Sequence, residues 1–156
     1  MTVKYIIGHW TAGNYKPNGL DLLSYQLLID DTGKHHSGLA VGCTCSTGGM
    51  NSITYNIACC GGLSTSKITQ DQIEAFCKAV AEKLKHYDLT VDKFYTHAEI
   101  GEMCKDGTIT KLLPYNSYLY QNKGKIDLTK LPYLESSAKN TGCLLRNKIN
   151  WYLQKI

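Results

Sequence analysis

Four groups of this sequence could do chemistry together: His9, Tyr25, His97 and the run Lys125-Ile126-Asp127. His9 sits at the end of Val3-Lys4-Tyr5-Ile6-Ile7-Gly8, a run of β-formers that reads as a buried strand. Alone it says little, because a single strand histidine is most often a packed core residue. A second strand-end histidine, His97, changes the reading when Lys-x-Asp follows it. Two imidazoles and one carboxylate on separate elements form a three-ligand set. Three protein ligands leave zinc an open fourth position, which is the catalytic rather than the structural arrangement.

The elements that must position these groups are legible in outline. Leu20 to Leu28 leads into a β-hairpin, with an apolar strand, an Asp31-Thr32-Gly33 turn and a short return strand. Residues 39–52 are rich in Gly, Ser, Thr and Cys and read as a loop, and Ile53 to Cys60 is a further strand closed by Gly61-Gly62. Thr69 with Gln72 is a capping box, and Ile73, Phe76, Cys77, Val80, Leu84 and Tyr87 follow at helical spacing, which predicts a helix over 70–87. Leu89 to Thr96 reads as a strand ending at His97, and residues 98–126 as a long polar, tyrosine-rich excursion. Helical spacing returns at Leu145, Ile149, Tyr152, Leu153 and Ile156. The expected fold is α/β: one domain over 1–156 with a central mixed β-sheet flanked by helices. Its catalytic core spans about 3–131 and a helical extension about 142–156.

A formal charge of +4 with scattered Lys and Arg gives no case for nucleic acid, though it suits an anionic polymer such as a bacterial wall. No stretch approaches a membrane span. The opening Met1-Thr2-Val3-Lys4 lacks a signal-peptide pattern, so synthesis in the cytoplasm is expected, with action outside only after release or export. The seven cysteines are odd in number, and Cys43-Thr44-Cys45 and Cys59-Cys60 do not have zinc-ribbon spacing. Most of these thiols are expected to be small buried hydrophobes.

In order along the chain, these motifs resemble the zinc-dependent N-acetylmuramoyl-L-alanine amidases of the phage-lysozyme and peptidoglycan-recognition type. Gly8-His9-Trp10-Thr11-Ala12-Gly13 is similar to the family's first metal-ligand strand, and Tyr25 to Gly33 to its tyrosine, aliphatic strand and Asp/Gly turn. Asn56 to Gly62 matches the central strand loosely, Thr96-His97-Ala98-Glu99 the second ligand strand, and Lys125-Ile126-Asp127-Leu128 the basic-x-Asp motif. The resemblance implies hydrolysis of the amide between N-acetylmuramic acid and L-alanine in peptidoglycan by zinc-activated water, in a phage or prophage lysin. It implies one zinc ion on His9, His97 and Asp127, Lys125 stabilising the oxyanion, Tyr25 orienting water or the tetrahedral intermediate, and Glu99 fixing an imidazole tautomer. A monomer is expected.

Departures from the pattern leave choices open. The His97–Asp127 interval is long, and Cys104 competes for the third ligand position, with Asp106 behind it; Asp127 is preferred for its flanking Lys125 and Leu128. Cys59 and Cys60 stand where wall-recycling members place a glutamate, which favours a tyrosine and lysine pair. A non-catalytic peptidoglycan-binding module is the alternative function; regulation of a polymerase by contact, known for a phage relative, has no support of its own here. His35 and His36 lie on the hairpin's return strand and His86 near a helix end. Tyr115, Tyr118 and Tyr120 could form a sugar-binding lip or anchor their loop, and Trp10 a cleft wall or core residue.

Overall fold

The computed structural model describes residues 2–114 and 116–156. Five strands form the sheet: β1 (Tyr5–Trp10), β2 (Leu27–Ile29), β3 (His35–Ser37), β4 (Thr54–Cys59) and β5 (Phe94–Thr96), in the order β3-β2-β4-β1-β5. β1 runs parallel to β4 and β5, β2 runs parallel to β4, and β3 alone is antiparallel. The sheet is therefore mixed and the fold α/β, as expected. A two-stranded hairpin, β6 (Lys130–Leu131) and β7 (Leu134–Glu135), stands apart from it.

Alternation along β1 divides the protein into two faces. Ile6 and Trp10 join Ile57, Phe76, Val80, Leu84, Leu145 and Ile149 in the larger apolar cluster, beneath α2 (Gln70–His86) and α4 (Ala138–Leu153). Phe76 and Phe94 meet edge to face at 6.1 Å there, and each such buried ring contributes about 1.5–3 kcal/mol. Tyr5 and Ile7 point the other way, against Ile100 and Cys104 of α3 (His97–Asp106) and against Ile109 and Leu119. His9 follows them onto that second face. A short helix, α1 (Gly19–Ser24), is capped by Asn18 and leads into Tyr25, which packs with Leu28, Ala58 and Cys60.

The capping box at Thr69 and Gln72 starts α2 as its spacing predicts. Gln72 is fully buried, and its Nε2 donates to the carbonyls of Ile29 and Cys60, tying the helix to the ends of β2 and β4. Three boundaries differ from expectation. β5 is only Phe94–Thr96, because residues 91–93 form a 3-10 turn and the chain becomes helical at His97. The 98–126 excursion contains α3 and two 3-10 turns, Thr108–Lys111 and Leu119–Asn122. α4 begins at Ala138, where the Ser137 side chain accepts from the Asn140 N–H, earlier than apolar spacing shows. Of the cysteines, Cys59, Cys60, Cys77 and Cys104 are buried while Cys43, Cys45 and Cys143 are exposed.

The hairpin turn carries its own electrostatics. Burial raises the Asp30 carboxyl, but hydrogen bonds from His36 and from the Thr32 and Lys34 backbone outweigh it and hold the pKa at about 2. The unfolded carboxyl titrates near about 4. The unfolded chain thus takes up the proton first, so this stabilisation is complete above about pH 4 and fades as pH falls towards 2. Urea midpoints measured from pH 5 to 2.5 should fall more steeply for the wild type than for Asp30→Asn; parallel slopes would refute this account.

Candidate metal centre

The site lies at the C-terminal ends of the parallel strands, where open α/β sheets place their ligands. His9 is the penultimate residue of β1 and His97 the first of α3, immediately after β5. Thr96 caps α3, and Glu99 returns the bond to the Thr96 N–H, so a capping box turns the chain out of the sheet with His97 at the helix start. Asp127 arrives from the loop before β6. The Trp10 N–H lies on the β5 side of β1, beyond the last β5 pairing at Gly8–Thr96, and donates to Asp127 Oδ2 at 3.2 Å. Leu128 holds this turn from the other side. Its φ of 62° is strained for a non-glycine residue, and full burial in the larger core offsets that cost.

His9, His97 and Asp127 bring three ligand atoms within 4.8 Å of one another, and all three residues are buried. His9 Nδ1 is 3.8 Å from Asp127 Oδ2, and His97 Nδ1 is 3.7 Å from Oδ1. These separations are too long for hydrogen bonds. They are close to the roughly 3.3 Å between ligand atoms on a tetrahedral zinc with bonds of about 2.0–2.1 Å. The far nitrogen of each ring is engaged: His9 Nε2 with Asn56 Oδ1 at 2.8 Å and His97 Nε2 with Asn122 Oδ1 at 2.7 Å. The converging donor set of two nitrogens and a carboxylate fits a zinc ion.

Electrostatics agree. Burial lowers the pKa of His9, and neighbouring His97 lowers it further. Burial also lowers His97 against the opposing pull of Asp127, and it raises Asp127 despite His97. The imidazoles are thus held neutral, in the form that binds metals. Tyr25 stands beside His9, ring centroids 5.1 Å apart, with its hydroxyl 3.5 Å from the Trp10 carbonyl. Burial and the Asp127 charge push its pKa upward, so it remains an O–H donor. Lys125 is exposed at the rim, where its charge depresses the pKa of His9, His97 and Asp127 alike.

The other residues singled out in the sequence lie elsewhere. Cys104 is buried under α3 and its thiol donates to the Leu119 carbonyl at 3.0 Å; Asp106 is exposed and bonds Thr108. Glu99 turns to other partners than an imidazole: it accepts the Thr96 N–H and forms a two-pronged pair with Arg146, at 2.8 and 2.7 Å. Its carboxylate is thus committed to the helix cap and to α4, a correction to the tautomer-fixing role. His36 bonds Asp30, and His86 lies in the last turn of α2. Trp10 is a core residue. Tyr118 is exposed, Tyr120 is partly buried against the second core, and Tyr115 lies outside the described residues. Sequence reasoning missed the partners Asn56 and Asn122. Asn56 left a signal, a polar residue inside an apolar strand; Asn122 left none.

The family model for N-acetylmuramoyl-L-alanine amidase matches residues 1–115. The chain belongs to the N-acetylmuramoyl-L-alanine amidase family. No curated protein sequence matches it. Among solved structures it is similar to the N-acetylmuramoyl-L-alanine amidase LysC from Clostridium intestinale, at 18% identity and a TM-score of 0.54, over 64% of this chain and 72% of that one. PlyL is similar at 16% identity and a TM-score of 0.54, over 81% and 87%. The Ph2119 endolysin from a Thermus scotoductus bacteriophage is similar at 17% identity and a TM-score of 0.51, over 64% and 73%. At these identities the likeness is one of fold. The amidase match covers His9, Tyr25 and His97 but stops short of Asn122, Lys125 and Asp127, which join the site through the fold alone.

Because Glu99 caps the helix that starts with His97, its Arg146 partner supports the site from α4. Removing one member of a largely buried ion pair leaves the other uncompensated. Arg146→Met should destabilise the protein by about 2–4 kcal/mol in urea unfolding. Adding Glu99→Gln should recover part of that loss; a double variant no better than the single one would refute the pairing argument.

Proposed function

We propose that this chain is a zinc-dependent peptidoglycan hydrolase, a lysin of phage or prophage, that cleaves the amide between N-acetylmuramic acid and L-alanine of the stem peptide. The observation that carries the reading is the buried convergence of His9, His97 and Asp127, one ligand atom from each lying within 4.8 Å of the others, in a chain of the amidase family. These three residues would hold one zinc ion. Lewis-acid polarisation of the amide carbonyl, and water acidified to near neutrality, are the chemistry zinc supplies in a three-ligand site.

The remaining roles fall to the chain itself. Lys125 brings a cation to the rim, where it opposes the negative charge that develops on the carbonyl oxygen; donors so placed are worth about 3–4 kcal/mol. Tyr25, held protonated beside His9, donates to and orients the reacting group. Neutral His9 and His97 keep their lone pairs for the metal. The substrate is the peptidoglycan of the bacterial cell wall. Among the described residues no helix is long and apolar enough to cross a membrane.

Purified protein should contain one zinc per chain and release free L-alanine amino termini from wall sacculi. Asp127→Ala should lose both zinc and activity, whereas Cys104→Ser should keep both. Tyr25→Phe and Lys125→Met should retain zinc while kcat/KM falls about 10²–10³-fold. Zinc-replete protein that binds sacculi but releases nothing would refute the hydrolase reading and favour a binding module.

A further inference from the structure

Which ring nitrogen a histidine offers a metal is decided by the hydrogen bond made by the other. At both histidines that partner is an asparagine oxygen, and here the backbone fixes which way each amide points. Asn122 Nδ2 faces two main-chain carbonyls, Gly48 at 3.0 Å and Leu119 at 2.7 Å. Reversal would set its oxygen against both. Oδ1 must therefore face His97, and since a carbonyl oxygen only accepts, His97 Nε2 must carry the proton.

The His9 side reaches the same result through one more residue. Gln26 Oε1 accepts the Asn56 backbone N–H at 2.7 Å, while Gln26 Nε2 donates to the Ala40 carbonyl and Thr44 Oγ1. With Gln26 so oriented, Asn56 Nδ2 donates to its oxygen at 3.2 Å and to Thr54 Oγ1 at 3.1 Å. Asn56 Oδ1 then accepts from Thr47 Oγ1 and from His9 Nε2, both at 2.8 Å; with its one proton given to Asn56, Thr47 Oγ1, 3.3 Å from His9 Nε2, can only accept there.

We propose that Asn56 and Asn122 are positioning residues that lock His9 and His97 as Nε2–H tautomers, leaving both Nδ1 lone pairs for the metal. The consequence for metal affinity rests on the zinc reading above; the tautomers themselves do not. The two arms differ in stiffness. Asn56 and Gln26 belong to the sheet region, on β4 and at the start of β2. Asn122 ends a 3-10 turn and is held by a contact between two loops, 47–50 and 118–122. That contact is close: a Cβ on Gly49, at φ +77°, would lie 2.9 Å from Leu119 Cγ, and one on Gly101 of α3 would lie 2.5 Å from the Asn122 carbonyl. His97 is thus the ligand whose orientation depends on loop packing.

Long-range 1H–15N spectra of histidine-labelled, metal-free protein test this directly. Both buried imidazoles should be protonated at Nε2 alone. In Asn122→Leu, His97 should become a tautomer mixture while His9 stays unchanged, and the zinc Kd from chelator competition should rise about 10- to 100-fold. Asn56→Leu makes the same test at His9 and serves if Asn122→Leu does not fold. Nδ1–H in the wild type would overturn the proposal, as would an Asn122→Leu protein with unchanged tautomer and Kd. A wild type with both Nε2–H signals that takes up no zinc would support the relay and overturn the zinc reading.

Discussion

Three buried groups that cannot satisfy one another define this structure. Two neutral imidazoles turn their Nδ1 atoms towards a carboxylate at 3.7 and 3.8 Å, and no proton bridges the gap at that distance. Burial shifts the pKa of each group against its charged form. Left alone the arrangement costs stability, because a buried carboxylate with incomplete partners is expensive. A bound cation reverses the sign, since its charge compensates the carboxylate and the lone pairs become ligands. The surrounding structure serves to keep the three groups from relaxing towards better partners.

Each group is held by a different kind of element, and the differences matter. His9 is fixed by the parallel pairing of β1 with β4, which continues on both sides of it from Tyr5 to Trp10. His97 is the first residue of α3, where the positive end of the helix dipole favours a neutral imidazole and a nearby carboxylate. Asp127 has only a loop, and the loop is secured at two points. One carboxylate oxygen takes the Trp10 N–H that β5 leaves unpaired, and Leu128 is buried in the opposite core at the cost of a left-handed backbone. The short reach of β5 has a direct structural consequence: ending at Thr96, it frees an N–H on β1 for Asp127.

Strong periodic signals made the sheet, α2 and the hairpin legible in the sequence. The capping box at Thr69 and the alternation in Val3 to Trp10 each state one local preference that tertiary packing does not oppose. α3 was obscured although Thr96-His97-Ala98-Glu99 carries the same capping signal, because Tyr95 and Thr96 continue the β-rich run up to the cap. His9, Tyr25, His97 and Asp127 were named from residue type and order, and the fold brings them together. Asn122 could not be found that way. Its contribution depends on carbonyls at Gly48 and Leu119, and no pattern of residue types encodes where two loops touch.

The helical start at His97 also bears on the third ligand. A cysteine seven residues later invites comparison with a metal ligand only while that segment is read as irregular. On a helix, seven residues advance about 10 Å, so side chains at 97 and 104 lie two turns apart and cannot share one ion. Cys104 faces the second core instead, and its thiol donates to the Leu119 carbonyl, the same oxygen that receives Asn122 Nδ2. It therefore belongs beneath the residue that orients His97. The end of the long interval after α3 then has a clear structural effect: it sets Asn122 against His97 and brings Asp127 to the Trp10 N–H that β5 leaves unpaired.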